Sequence, residues 1–146
     1  MNMLKNAGAE IQLLGLWYSK LQNISNNLNT ISQRYELSFE QFLVLEQVIE
    51  ENRNSPSELA TFFKTSLPAV SRKLNILQAK KLIRKVRGEQ LDQRLMWINV
   101  TPEGTELYSN IKKTLILSGE RLHEKDIRLM QDMDLLLNRI NNESLD

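Results

Sequence analysis

Between Lys64 and Arg94 the chain carries nine of its 19 lysines and arginines but only two of its 18 acids. The remainder holds ten and sixteen, so a segment of net charge +7 is set into a body of −6. The hydrogen-bonding groups of this segment are closely spaced. Ser66, Pro68, Ala69, Ser71, Arg72, Lys73 and Asn75 fall within ten residues. Arg87 and Arg94 then bracket a short polar loop, with Asp92 two residues before Arg94. A guanidinium pairs side-on with a phosphate or with the O6 and N7 of guanine, and an asparagine amide matches the edge of adenine. Serine hydroxyls at a helix start suit phosphate oxygens, and Ala or Pro can rest on a thymine methyl. A carboxylate at Asp92 can hold the Arg94 guanidinium by a bidentate pair. Charge of one sign concentrated in this way suits a polyanion, either nucleic acid or an anionic membrane. The plainer reading is a solvated face whose cations lie near neighbouring acids.

Other chemistries are poorly supplied. The chain has no cysteine, which excludes disulfides, thiol catalysis and thiol redox sensing. Its one histidine, His123, has no second histidine at i+4, so no metal site is expected. The five glycines are scattered singly and form no phosphate-cradling loop. No carboxylate stands in a recognisable spacing from a nucleophile, so neither an enzyme nor a bound cofactor is expected. With 146 residues, 41% hydrophobic and 25% charged, the chain is long enough for one domain with a core. No apolar run approaches the length of a membrane span, and Glu10 interrupts the only stretch that could resemble a leader. The expectation is a cytoplasmic protein with no membrane partner.

The elements that must position these groups follow from periodicity. Leu14, Trp17, Leu21, Ile24, Leu28, Ile31 and Tyr35 are spaced alternately by three and four, a heptad seam on one helix from about Ala7 to Tyr35. Asparagines fill much of the space between, so burial rather than propensity must hold this helix. So long a seam points to a second copy of the chain, the alternative being a long core helix packed within one chain. Ser38 with Gln41, and Ser55 with Pro56 and Glu58, start the second and third helices as capping boxes. Ser66 caps a fourth from about Leu67, with Val70, Leu74 and Leu77 inward and Pro68, Arg72 and Asn75 outward. A short helix, a turn and a second helix with a polar, cationic outer face form a helix-turn-helix layout. Residues 82–87 and 94–100 alternate as two strands around the loop, and Thr101 and Pro102 end the second and open a helix to about Ser118. A last helix from about Leu122 carries Ile127, Met130, Met133, Leu137 and Ile140 as its seam. The hairpin is placed to act as a wing whose cationic tip reaches the DNA backbone or an adjacent minor groove.

The stretches "SPSELATFFKTSLPAVSRKLNILQAKKLIRKV" and "DQRLMWINVTPEG" resemble the MarR-type winged-helix transcriptional regulators. Ser57, Leu59, Ala60, Ser66, Val70, Ser71, Arg72, Leu74, Leu77, Leu82, Ile83, Asp92, Arg94, Thr101 and Gly104 fall on that family's pattern. The resemblance spans about Phe39 to Ser118. Three departures stand out: Lys81 occupies the usual glycine position, Lys85 follows Arg84 directly, and "GEQL" brings an extra acid to the wing. The resemblance implies a mainly α fold with one β-hairpin, a winged helix-turn-helix over 36–101, and dimerisation helices over 1–35 and 102–146. It also implies a homodimer on a pseudo-palindromic operator in double-stranded DNA, usually a repressor released by a small-molecule effector or an oxidant. Leu14, Leu21, Leu28, Ile127, Leu137 and Ile140 are the expected dimer contacts. Trp17, Tyr18 and Tyr35 are candidates to line an effector crevice, with packing in the dimer core as the plainer role. A helical protein-interaction module without specific DNA binding is the alternative of another class.

Overall fold

The computed structural model describes residues 2–87, 95–118 and 124–143. The elements run α1 (Asn2–Gln33), α2 (Phe39–Glu51), α3 (Pro56–Phe62), α4 (Leu67–Ala79), β1 (Ile83–Arg87), β2 (Met96–Val100), α5 (Pro102–Ser118) and α6 (Glu124–Glu143). Two compact units divide the chain, residues 1–115 and 116–146. The expected fold class, mainly helical with a single hairpin, is the one observed. The first helix starts five residues earlier than the sequence suggests and stops two residues earlier, at Gln33.

The helix starts obey their caps. The Ser38 hydroxyl accepts from Gln41 N at 3.1 Å while the Gln41 side chain accepts from Ser38 N at 3.0 Å. Ser55 and Glu58 exchange the equivalent pair ahead of Pro56. The helix ends are less usual. Glu36, Asn52, Lys64 and Lys81 all take left-handed backbone conformations, φ between 49° and 61°, where glycine is the common choice. In three of these ends the next amide reaches back five residues: Leu37 to Ser32, Thr65 to Ala60 and Leu82 to Leu77, at 3.0–3.4 Å. Leu37 and Leu82 are buried, so the apolar contact that accompanies this type of turn holds it without glycine.

One core serves α2 to α5. Leu45, Leu59, Leu77 and Ile111 are wholly buried, with Val44, Val70, Leu74, Ile83 and Ile98 almost so. The hairpin joins it through one face. In its antiparallel register Ile83 pairs with Val100, Lys85 with Ile98 and Arg87 with Met96. Ile98 N donates to Asn54 O at 2.7 Å, tying β2 to the loop between α2 and α3. Thr101 closes the other end. Its buried hydroxyl donates to Lys81 O at 2.7 Å and accepts from Gly104 N at 3.1 Å, and its own N–H donates to Leu82 O at 3.0 Å. Gly104 permits this approach, since a Cβ there would stand 2.2 Å from Leu82 O and 2.8 Å from Val100 Cγ1.

Between α2 and α5, Tyr108 and Lys112 both donate to the same Glu50 carboxylate oxygen, each at 2.7 Å. The Lys112 and Tyr108 hydrogen bonds hold the Glu50 carboxyl below its usual range. Burial, then the bond to Glu50, pushes the Tyr108 phenol up to about 12. The hydrogen bond to Glu50 raises Lys112 as well.

Gly104→Ala gains roughly 1 kcal/mol of helix propensity but forces two backbone segments apart, an overpacking worth about 3 kcal/mol or more, so urea unfolding will show net destabilisation. Lys81→Gly will instead stabilise by roughly 0.5–1 kcal/mol, because relief of the left-handed strain exceeds the added chain entropy. For pH, the folded Tyr108 pKa lies above the ordinary 10.0. Its stabilising contribution is therefore complete below pH 10 and is lost as pH rises towards 12. Thermal stability across that window will fall less steeply for Tyr108→Phe than for the natural chain.

Candidate nucleic-acid interface

The turn from α3 to α4 presents the N-terminus of α4 with Ser66 as its cap, accepting from Ala69 N at 3.3 Å. The hydroxyl proton of Ser66 stays available for a phosphate oxygen. Val70, Leu74 and Leu77 pack inward at 1%, 1% and 0% exposure. The opposite face carries Pro68, Ser71, Arg72 and Asn75, all exposed, with Arg72 and Asn75 one turn apart. Leu67 and Ile76 flank them and are also exposed. The outward face expected from periodicity is the face the structure exposes.

The hairpin borders this face. On β1 the inward-facing series is Ile83, Lys85 and Arg87, and on β2 it is Met96, Ile98 and Val100. Lys85 reaches from β1 to α4, where its ammonium donates to Asn75 Oδ1. Arg87, two residues further along the same face, is exposed. An open cleft of about 640 Å³ runs beside the C-terminal end of α4, with Lys80, Lys81, Arg84 and Lys85 among its lining residues. Arg94 and Asp92, the expected cation and orienting carboxylate of the wing tip, lie outside the described residues, as does His123.

Not every cation of the segment belongs to this face. Lys73 is half-buried, 3.3 Å from a Glu40 carboxylate oxygen and 5.9 Å from the centre of the Phe63 ring. Its position three residues after Val70 already places it near the inward side. Ala69 is also half-buried. Lys80 donates back to the Glu36 carbonyl. Conversely, Lys85 is the residue that motif spacing overlooks. Its one signal in the sequence is the two-residue alternation of β1, which puts Lys85 on the face of Ile83 and Arg87.

The aromatic candidates are not brought together. Trp17 is half-buried, Tyr18 is exposed and accepts from Gln22 Nε2 at 2.8 Å, and the Tyr35 hydroxyl bonds that of Thr114 on α5. About 24 Å of helix rise separates Trp17 from the end of α1 at Gln33, and Tyr35 lies in the turn beyond it. The seam of α1 stands largely uncovered. From residue 6 to 27 only Trp17 is even half-buried, with Leu14 at 52% and Leu21 at 47% exposure. Leu28, nearer the core, is half-buried. In the second unit Ile127, Leu137 and Ile140 of α6 are exposed as well.

Residues 26–111, more than half of the chain, match the family described as transcriptional regulator SarA/Rot. The chain belongs to the SarA/Rot family of transcriptional regulators. No curated protein matches its sequence. Solved structures nevertheless share its fold. AbfR of Staphylococcus epidermidis superposes with a TM-score of 0.77 at 14% identity, over 97% of this chain and 99% of that one. A mutant MarR from E. coli complexed with operator DNA gives 0.68 at 19% identity, over 90% and 95%. Staphylococcus aureus MarR in complex with salicylate and kanamycin gives 0.64 at 15% identity, over 92% and 91%. This SarA/Rot-family regulator thus shares the winged-helix fold of the MarR structures, in line with the resemblance carried by its motifs. Within that fold α3 and α4 are the helix-turn-helix pair and β1–β2 the wing hairpin. Among the described residues no helix is long and apolar enough to cross a membrane, and no cluster of potential metal ligands occurs.

Proposed function

We propose that this regulator binds double-stranded DNA in a sequence-specific manner, with α4 in the major groove and the β1–β2 wing on the flanking backbone. One observation carries the reading: exposed Arg72 and Asn75 on α4 are continuous with Lys85 and Arg87 on the wing, on the basic segment of an otherwise acidic chain. The major groove, about 12 Å wide, admits a helix carrying such side chains. Ser66, Ser71 and Pro68 line the start of the helix, where phosphate contacts set the register. Arg94 extends the interface to the wing tip, oriented by Asp92. Lys73 contributes positive potential rather than a direct contact, given its pairing with Glu40.

The functional unit is a homodimer. An α1 seam left exposed over most of its length needs an apolar partner, and a second copy supplies an identical one. Leu14, Leu21 and Leu28, with Ile127, Leu137 and Ile140, form the contact. Two-fold symmetry then calls for a pseudo-palindromic operator with half-sites about one helical turn apart. Occupying such an operator in the cytoplasm, the protein acts as a repressor. Release by a small ligand is supported by the similar fold of S. aureus MarR, solved in complex with salicylate and kanamycin. In the dimer the ligand lies near Trp17, Tyr18 and Tyr35, contributed by more than one part of the assembly.

The tests use a duplex selected from a random library beside a scrambled one. Arg72→Ala will weaken binding to the selected duplex by about 1–3 kcal/mol and relax sequence preference. Arg94→Ala will weaken both duplexes more evenly and lower the salt slope by about one. Asp92→Ala will follow Arg94→Ala at smaller size; tighter binding to both duplexes would show that the carboxylate merely repels phosphate. An unchanged Arg94→Ala removes the wing from the interface. Leu21→Glu, which buries an uncompensated charge at the dimer contact, will cost several kcal/mol of association. Sedimentation at micromolar concentration will find the natural chain at twice its own mass; a mass of one chain would refute the dimer.

A further inference from the structure

Asn75 and Lys85 come from different elements, the recognition helix and the first wing strand, yet their side chains meet. The contact fixes the orientation of an amide. An ammonium has three donors and no acceptor, so the group facing Lys85 must be Oδ1, and Nδ2 points the other way. That orientation changes what Asn75 can read. Adenine shows a donor at N6 and an acceptor at N7, and asparagine recognises it by using both ends of its amide at once. Lys85 takes one of the two lone pairs of Oδ1 and sets a positive charge beside the other, which disfavours a second donor there, such as adenine N6, and leaves the donors of Nδ2 as what Asn75 best offers a base. Lys85 adds donors of its own, because its bond to Asn75 leaves two ammonium protons with no partner among the described residues. The two side chains together present mainly donors and a positive charge, which suits acceptors on a base. Guanine is the base whose major-groove edge shows two acceptors, O6 and N7.

The neighbouring lysines are placed differently. Lys73 faces a carboxylate, and Lys80 is turned to the Glu36 carbonyl, away from the exposed face of α4. Lys85 alone of the three rests on a neutral side chain of that face. Among the described residues no ion pair offsets its charge.

We infer that Lys85 determines base specificity: by binding Asn75 Oδ1 it converts an asparagine suited to adenine into half of a donor pair that selects guanine. This rests on the proposed placement of α4 in the major groove. The experiment is selection from a randomised duplex library with the intact chain and its Asn75→Ala, Lys85→Met and Lys85→Arg variants, each at matched fraction bound. Asn75→Ala identifies the operator position that Asn75 reads, as the one whose preference it erases. At that position the natural chain will enrich guanine. Lys85→Met, which keeps the aliphatic stem and frees Oδ1, will move the preference to adenine by on the order of ten-fold. Lys85→Arg, which restores a donor, will keep guanine. A general loss of affinity in Lys85→Met reflects one fewer cation near phosphate and is not the readout. Adenine enriched by the natural chain at that position, or guanine retained by Lys85→Met, overturns the inference. So does an Asn75→Ala variant that alters no position, while leaving the DNA-reading proposal intact. If the natural chain enriches no sequence at all, the placement of α4 in the groove fails, and the inference with it.

Discussion

The buried hydroxyl of Thr101 joins three elements with two hydrogen bonds, one to the carbonyl at the exit of α4 and one from the first turn of α5. The Thr101 amide adds a third bond, to Leu82 at the start of the wing. The end of α4, the hairpin and α5 therefore meet at one point. Without the hydroxyl, two backbone groups in a mostly buried corner would each lack a partner, at about 1–3 kcal/mol apiece. Gly104 allows the corner to close, and Lys81 takes the left-handed conformation that turns the chain from α4 towards β1. At the far side, Asn54 holds β2 against the loop before α3. A wing pinned at both sides keeps Lys85 within reach of Asn75.

The same rigidity sorts the positive charge. The basic segment is not uniformly turned outward. Lys73 and Lys80 are bonded back to Glu40 and to the Glu36 carbonyl, and they brace the body beneath α4. Arg72, Lys85 and Arg87 remain on the side where α4 and the wing adjoin. A face of this kind attracts phosphate through several cations at once and leaves base selection to the few side chains that reach furthest. The exposed seam of α1 is the second feature that one chain cannot account for. Isolated leucines on a surface are ordinary, but a continuous heptad face is not.

Local signals are legible in the amino-acid sequence. Ser38, Ser55 and Ser66 each cap the helix that their spacing announces, because a cap needs only residues within one turn. Val70, Leu74 and Leu77 face inward as periodicity requires, and the two alternating segments around the loop pair as antiparallel strands. What the sequence hides depends on distance along the chain. Lys85 and Asn75 are ten residues apart on elements of different period, Tyr108 and Glu50 are 58 apart, and Tyr35 and Thr114 are 79 apart. Such pairs follow from packing angles and strand register, which no local pattern encodes. Lys73 is a lesser case. Its spacing from Val70 points inward, while its charge groups it with the outward set. The four left-handed helix ends are hidden for a different reason: none carries the glycine that would mark it.

The central claim is that the recognition helix and wing form one polyanion-binding face on an otherwise acidic chain. Its most direct test is the affinity of the intact protein for duplex DNA across a salt series. Neutralising about six to ten phosphates predicts a log–log slope of roughly −5 to −9, or a loss of about 10³–10⁵ in affinity between 50 and 200 mM salt. A slope near zero, or no measurable binding at the lowest salt, would contradict it.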